Sequence, residues 1–147
     1  MEKKVVEELM IRKFVAVFED EPIYELVEKL IEDKEVMLGC VVDKDNRLKG
    51  IITPRELLEA VEVREFGHIT YPFFRGPQVL HILTSKYAKD IMYPPVFVEP
   101  EDEIDKAIHI MLDRSFYEVP VVDKKGKMLG VINYFSILSN AIDYLKK

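Results

Sequence analysis

The sequence predicts an α/β (α+β) protein made of two β-α-β-β-α repeats packed about a pseudo-twofold axis. Three observations carry this. Val15-Ala16-Val17, followed by the stretch from Ile23 to Ile31, recurs 81 positions later as Val96-Phe97-Val98 and Ile104 to Leu112. Val42-Asp43 and Leu48-Lys49-Gly50-Ile51-Ile52 recur 80 positions later as Val122-Asp123 and Met128-Leu129-Gly130-Val131-Ile132. Within each copy, short β-branched runs alternate with segments of helical periodicity. Neither copy can bury its apolar face alone, so the two are expected to pack together, with ligand-sized clefts between them.

Each element follows from its pattern. Residues 3–10 place Val5, Val6, Leu9 and Met10 at helical spacing, and this helix is expected to pack across the second copy. Phe14 to Phe18 is a continuous apolar run, hence a short buried strand. Pro22 opens a helix where its missing N–H does no harm, with Ile23, Val27, Leu30 and Ile31 as the buried stripe. Leu38 to Val42 and Leu48 to Ile52 are strands around the turn Asp43-Lys44-Asp45-Asn46, and a helix runs from Pro54 to Val61. The second copy repeats this order: strand 96–98, helix 103–113, strand 118–122, turn 123–126, strand 128–132, helix 134–145.

The bulk composition narrows the classes. Twenty-one basic and 27 acidic residues give a net charge of −6, which argues against a nucleic-acid partner. An anionic ligand therefore needs a local positive site. Cys40 is the single cysteine, so neither a disulfide framework nor a cysteine metal site is expected. The start carries no apolar leader pattern, and no run approaches a membrane span. The expectation is a soluble, cytoplasmic protein with no membrane role.

Met92, Pro95-Val96-Phe97-Val98-Glu99-Pro100-Glu101-Asp102, Val119-Pro120-Val121-Val122-Asp123 and Gly130-Val131-Ile132 together resemble a CBS domain, named after cystathionine β-synthase. The first copy resembles the same pattern through Met10, Val15-Ala16-Val17, Cys40-Val41-Val42-Asp43 and Gly50-Ile51-Ile52-Thr53-Pro54-Arg55-Glu56-Leu57-Leu58. The resemblance implies a tandem CBS pair, with one repeat over residues 1–61, an aromatic connector over 62–87 and the other repeat over 88–147. Such pairs are usually disc-like, dimerise through their helices, and sense AMP, ADP, ATP or S-adenosylmethionine on behalf of an enzyme or transporter. No cofactor is required. The implied function is a stand-alone, homodimeric regulatory module that signals to an unidentified effector protein. The alternative is a ligand-free scaffold acting through its dimer and the aromatic insert.

In ligand-binding members a Gly-h-h-Thr/Ser-x-x-Asp motif (h, apolar) holds ribose and phosphate. The matching residues are Gly50, Thr53 and Glu56, with Arg55 as a phosphate contact. The orphan N–H groups and dipole of a helix N-terminus favour an anion there. Glu56 stands in place of the expected Asp, and Thr53-Pro54-Arg55-Glu56 is equally a capping box that needs no ligand. Val15, Val17, Leu38, Gly39 and Cys40 are expected to flank the base. A weaker second site comprises Asn133, Ser136, Val96, Val119 and Pro120, where Asn133 is already a good N-cap without a ligand.

In the connector, cover for the core or a partner surface is the favoured reading of Tyr71, Phe73 and Phe74; the alternative is a base stacked on these rings or a phosphate met by Arg75. His68, His81 and His109 lack metal-ligand spacing, and no catalytic constellation is present, so no enzyme and no metal site are expected. Cys40, inside a predicted buried strand, is core filler rather than a reactive thiol.

Overall fold

The structure, a computed structural model, describes residues 4–66 and 84–147. Tyr71, Phe73, Phe74, Arg75, His68 and His81 lie outside the described residues. The first repeat contains β1 (Val15–Phe18), α2 (Ile23–Glu32), β2 (Gly39–Val42), β3 (Leu48–Ile52) and α3 (Pro54–Val61), preceded by a one-turn helix α1 (Val6–Leu9). The second contains α5 (Ile104–Arg114), β4 (Glu118–Val122), β5 (Met128–Asn133), α6 (Tyr134–Leu138) and α7 (Ile142–Leu145), preceded by the matching helix α4 (Ala88–Ile91). β1 pairs parallel with β2, and β2 antiparallel with β3. β4 pairs antiparallel with β5, and both hairpins carry a register irregularity at equivalent places, Val41/Val42 and Val121/Val122.

The short leading helices are exchanged between the repeats. Val6 and Leu9 of α1 are buried in the core of the second repeat with Val98, Met111, Val119 and Ile132. Ala88 of α4 is buried in the core of the first with Val15, Leu26, Val41 and Ile52. Four residues are far too few to hold a helix alone. Burial of Val6 and Leu9, worth about 1.5–3 kcal/mol each, supplies what helix propensity cannot.

The chain leaving each helix then pairs with the same repeat. Ile11 N donates to Val131 O (2.7 Å) and Val131 N to Ile11 O (2.9 Å). Tyr93 N donates to Ile51 O (2.8 Å) and Ile51 N to Tyr93 O (3.1 Å). Gly130 and Gly50 permit these crossings. A Cβ on Gly130 would meet the Ile11 carbonyl and the Met10 side chain, and one on Gly50 would meet Met92 and the Tyr93 carbonyl. A third cluster, Leu38, Cys40, Val42, Ile51, Val122 and Met128, joins the two sheets.

The two hairpin turns also meet. Leu48 N donates to Gly126 O (2.9 Å) and Met128 N to Asn46 O (3.0 Å). Asn46 and Gly126 both adopt left-handed backbone, φ 66° and 82°, which Asn and Gly tolerate best. Asp43 Oδ1 accepts from Arg47 N and Asp45 N, and Asp123 Oδ1 from Lys127 N and Lys125 N. These bonds hold both carboxyls below their usual range.

Several expected elements differ from the structure, each for a local reason. The strand expected at 96–98 reduces, among the described residues, to one parallel bridge, Val98 to Val121. Pro94 and Pro95 immediately before it offer no N–H to a ladder. The helix expected over 134–145 is broken into α6 and α7. Ser139 Oγ and Asn140 Nδ2 both donate to Ser136 O, which competes with the helical ladder there. Pro22 stands at the N-cap of α2 rather than inside it. The buried residues of α2 are Ile23 and Leu26, while Ile31 points outward at 68% exposure. Residues Glu62–Phe66, expected as part of a connector without structure, extend α3 by a wider π-helical turn.

The crossings have a measurable consequence. Gly130→Ala should cost about 1–3 kcal/mol, because its Cβ meets backbone that cannot rotate away. Urea unfolding at neutral pH measures it. An unchanged midpoint would mean that the Met10–Ile11 segment does not lie across Gly130.

Candidate functional site

The register brings three chain segments together at one end of the first sheet. Val15 pairs with Gly39, and Gly39 with Ile52, so Leu38 and Thr53 follow side by side one residue further on. Thr53 is also the N-cap of α3, with Pro54 at its first position. A parallel β1–β2 pair ending beside a helix N-terminus leaves backbone N–H groups and a positive dipole end at one corner.

Glu56 dominates the polar geometry of that corner. Its Oε1 accepts from Thr53 N (2.9 Å), and its Oε2 accepts from Thr53 Oγ1 (2.5 Å). The hydroxyl and carboxylate thus hold each other. Burial pushes the Glu56 carboxyl above its usual range, and the bonds from Thr53 only partly oppose this. Arg55 Nε pairs with Glu59 Oε1 at 3.1 Å across one helical turn. Tyr93, half-buried and anchored to Ile51 by two backbone bonds, stands close enough to Glu56 and Glu59 for their charges to push its phenol upward, after burial as the larger cause.

The expected base-flanking residues divide between two faces. Val15 and Val17 point into the helix-side core, with Leu26, Val41 and Ile52. Leu38 and Cys40 point to the opposite side of the sheet, into the cluster shared with Val122 and Met128. Of these residues, Val15, Leu38 and Gly39 share the sheet end with Thr53, whereas Val17 and Cys40 lie deeper along the strands. Cys40 is fully buried, and burial raises its thiol far above the range in which a thiolate forms at neutral pH.

The second corner has other chemistry. Asn133 occupies the place of Thr53, Ser136 that of Glu56 and Phe135 that of Arg55. Asn133 Oδ1 accepts from Ser136 N (2.9 Å), and Ser136 Oγ accepts from Asn133 N (3.0 Å), which closes a reciprocal cap on α6. Phe135 is 79% exposed. Val96 is partly buried in the inter-sheet cluster, Val119 lies in the core of the second repeat, and Pro120 O accepts from Val98 N (3.0 Å).

Two residues here were not anticipated. Tyr93 follows Met92, and the doubled pattern gives its place to Ile11 in the other copy, so only the aromatic substitution marks it. Glu118 is a charged residue inside a fully buried strand, at the position of Leu38 in the first copy. A carboxylate in such a run needs hydrogen-bond partners, and that was its legible signal. Oε1 accepts from Met37 N and Leu38 N, both at 3.0 Å, and Oε2 accepts from Asn133 Nδ2 at 3.2 Å.

Next to the first corner, an apolar groove runs between α2 and α3, lined by Val27, Leu30, Ile31, Leu57, Leu58 and Val61 and reaching Met37 and Pro54. It excludes Thr53 and Glu56. Among the described residues no group of His, Cys, Asp and Glu is placed to hold a metal ion, and no helix is long and apolar enough to cross a membrane.

Sequence comparison places this architecture. The CBS domain profile matches residues 6–63 and 88–143, and the chain belongs to the CBS domain family as a tandem pair. A solved CBS domain-containing protein from Thermotoga maritima is 31% identical, covers 97% of both chains and superposes with a TM-score of 0.82. CBSX2 of Arabidopsis thaliana, solved in complex with AMP, is 24% identical over 97% of this chain and 99% of that one, with a TM-score of 0.77. The chloroplastic CBS domain-containing protein CBSX1 of Arabidopsis thaliana is 28% identical over 80% of this chain and 55% of its own length. The chain spans about half the length of the first curated relatives it matches.

Glu56 gives a pH signature. Its folded carboxyl titrates above the usual value, so its neutral form favours the fold and that contribution is lost as pH rises through the folded value. Glu56→Gln keeps an acceptor for Thr53 N and a donor for Thr53 Oγ1 while removing the charge. Its melting temperature should match wild type near pH 4 and rise above it toward pH 7. A difference that stays constant with pH would contradict a partly buried Glu56 that ionises at neutral pH.

Proposed function

We propose that this CBS pair is a regulatory module that binds one adenosine-containing ligand of the AMP, ADP, ATP or S-adenosylmethionine class at the first repeat's corner. In this reading the N-terminus of α3, with Thr53 and Arg55, meets phosphate, and Glu56 meets the ribose diol. Leu38 and Gly39 border the base, and Tyr93 closes the rim. The observation that carries the reading is the convergence of Thr53, Arg55 and Glu56 at a helix N-terminus beside the end of a parallel strand pair. Solved relatives support the ligand class: CBSX2 is in complex with AMP, another CBS domain pair with 5′-methylthioadenosine and S-adenosylmethionine, and the cytosolic domain of a Mg2+ channel with ATP.

Binding has to break the Thr53–Glu56 pair. The hydroxyl turns from Glu56 Oε2 to a phosphate oxygen, and the released carboxylate accepts from the ribose hydroxyls. Because the helix cap changes with it, the bound state favours a different arrangement of α3, and population shift carries the signal to a partner protein in the cytoplasm. A module that binds and signals in this way needs no catalytic group.

The same reading makes the module a homodimer. Ile31 and Leu58 are 68% and 71% exposed, and their repeat equivalents Leu112 and Leu138 are 64% and 45% exposed. Two equivalent apolar helix faces on one chain suit an isologous contact. Introducing Leu58→Asp and Leu138→Asp together should yield a monomer in sedimentation equilibrium; a wild-type chain that is itself monomeric at micromolar concentration overturns the dimer.

Ligand binding is tested by thermal shift with AMP, ADP, ATP, S-adenosylmethionine and adenosine. A ligand at about 100 times its dissociation constant adds about 2.7 kcal/mol, or roughly 5–10 °C for a chain of this size. The expected result is a shift that disappears in Thr53→Ala/Glu56→Ala. Flat curves across the panel would leave Thr53 and Glu56 as a helix cap and favour the scaffold reading.

A further inference from the structure

We propose that Glu118, which belongs to the second repeat, is a positioning residue of the first repeat's ligand corner. The inference rests on the adenosine reading of that corner. It starts from a carboxylate in an uncommon setting: Glu118 is 3% exposed, and no ion pair joins it to a Lys or Arg among the described residues. Such a group persists when hydrogen bonds replace its hydration.

All three of its partners donate. Met37 N and Leu38 N converge on Oε1, and Asn133 Nδ2 reaches Oε2. Two of these donors belong to the first repeat and one to the second, so the carboxylate ties the repeats together. Leu38 is the residue beside Thr53 at the sheet end, and Met37–Leu38 is the segment that enters β2. Glu118 therefore sets where those two amides point. In the first repeat the corresponding position is Leu38 itself, which has no carboxylate, so the tie runs in one direction only.

The same geometry makes the tie sensitive to protonation. Protonation weakens the three bonds, because a neutral acid accepts less strongly than a carboxylate, and a proton on Oε1 would displace one of the two amides there. Among the described residues, the other titratable groups whose charges act with Glu118 are Asp33, which follows α2, and Cys40 on β2. Neither supplies a positive charge. Burial, the largest influence, moves the carboxyl above its usual range, and Asp33 adds to this.

The donor pattern suggests a reciprocal swap. Glu118→Gln leaves an acceptor for Met37 and Leu38 but sets one amide group against the amide of Asn133. Adding Asn133→Asp restores the match: Gln donates to Asp, and the other Asp oxygen still accepts from Ser136 N. AMP affinity, measured by isothermal titration on the full chain, should fall about tenfold in Glu118→Gln and return to within about twofold of wild type in the double variant.

The pH profile supplies a second readout. The ratio of wild-type to Glu118→Gln affinity cancels the titration of AMP itself, and it should fall as pH drops through the Glu118 transition. A wild-type chain that binds AMP as tightly as Glu118→Gln at every pH overturns the inference while leaving the corner an adenosine site. A double variant no better than Glu118→Gln also overturns it, because the tie to Asn133 then plays no part. A wild-type chain that binds none of the adenosine ligands defeats the reading of the corner and this inference with it.

Discussion

Each repeat is completed by a segment that belongs to the other. Ile11 lies against Val131 and Tyr93 against Ile51, each through a reciprocal pair of backbone bonds. Val6 and Leu9 fill one core while Ala88 fills the other. These contacts explain why two small α/β units, neither with enough apolar surface of its own, form one body. They also explain the two motif glycines. In the family pattern Gly50 and Gly130 stand within a ligand motif, yet here each leaves room for the crossing backbone. The Thr53 corner inherits its shape from this arrangement, because Tyr93 reaches the rim of Thr53 and Glu56 only as part of the crossing segment.

The pseudo-symmetry is kept in the cores and abandoned at the corners. Ile51 and Val131, Val41 and Val121, and Asn46 and Gly126 occupy matched places with matched roles. At the sheet ends, Thr53, Arg55, Glu56 and Leu38 face Asn133, Phe135, Ser136 and Glu118 in the other copy. In the first corner the Thr53 hydroxyl and the Glu56 carboxylate hold each other. In the second, Asn133 and Ser136 close on each other, and Glu118 takes the remaining amide. The two repeats thus share one frame, and their side chains give its two corners different chemistry.

Most of the fold was legible because a repeat restricts topology more strongly than any local propensity. Matching Val15-Ala16-Val17 to Val96-Phe97-Val98 fixed the order of elements, and the crossing of residues 3–10 onto the second copy followed from it. The failures are local. Pro94 and Pro95 reduced a strand to a bridge, and Ser139 with Asn140 divided a helix, since competing side-chain bonds leave little trace in apolar periodicity. At the candidate site, the Thr53–Glu56 pairing was readable as a capping box from spacing alone. The setting of Glu118 was not, because two of its three partners are backbone amides 80 and 81 positions away, which no side-chain motif encodes. The split of Val15 and Val17 from Leu38 and Cys40 onto opposite faces depends on sheet pleat and on which layer each face meets.

The asymmetry between the corners is tested most directly by the stoichiometry of AMP binding in isothermal titration calorimetry of the wild-type chain. The proposed reading predicts one AMP per chain, since the first corner carries Thr53, Arg55 and Glu56 where the second has Asn133, Phe135 and Ser136. Two AMP per chain would contradict it, because the second corner would then bind without a guanidinium at the place of Arg55 or a carboxylate at the place of Glu56. No AMP bound at millimolar concentration would contradict it as well, by showing that Thr53 and Glu56 serve the helix alone.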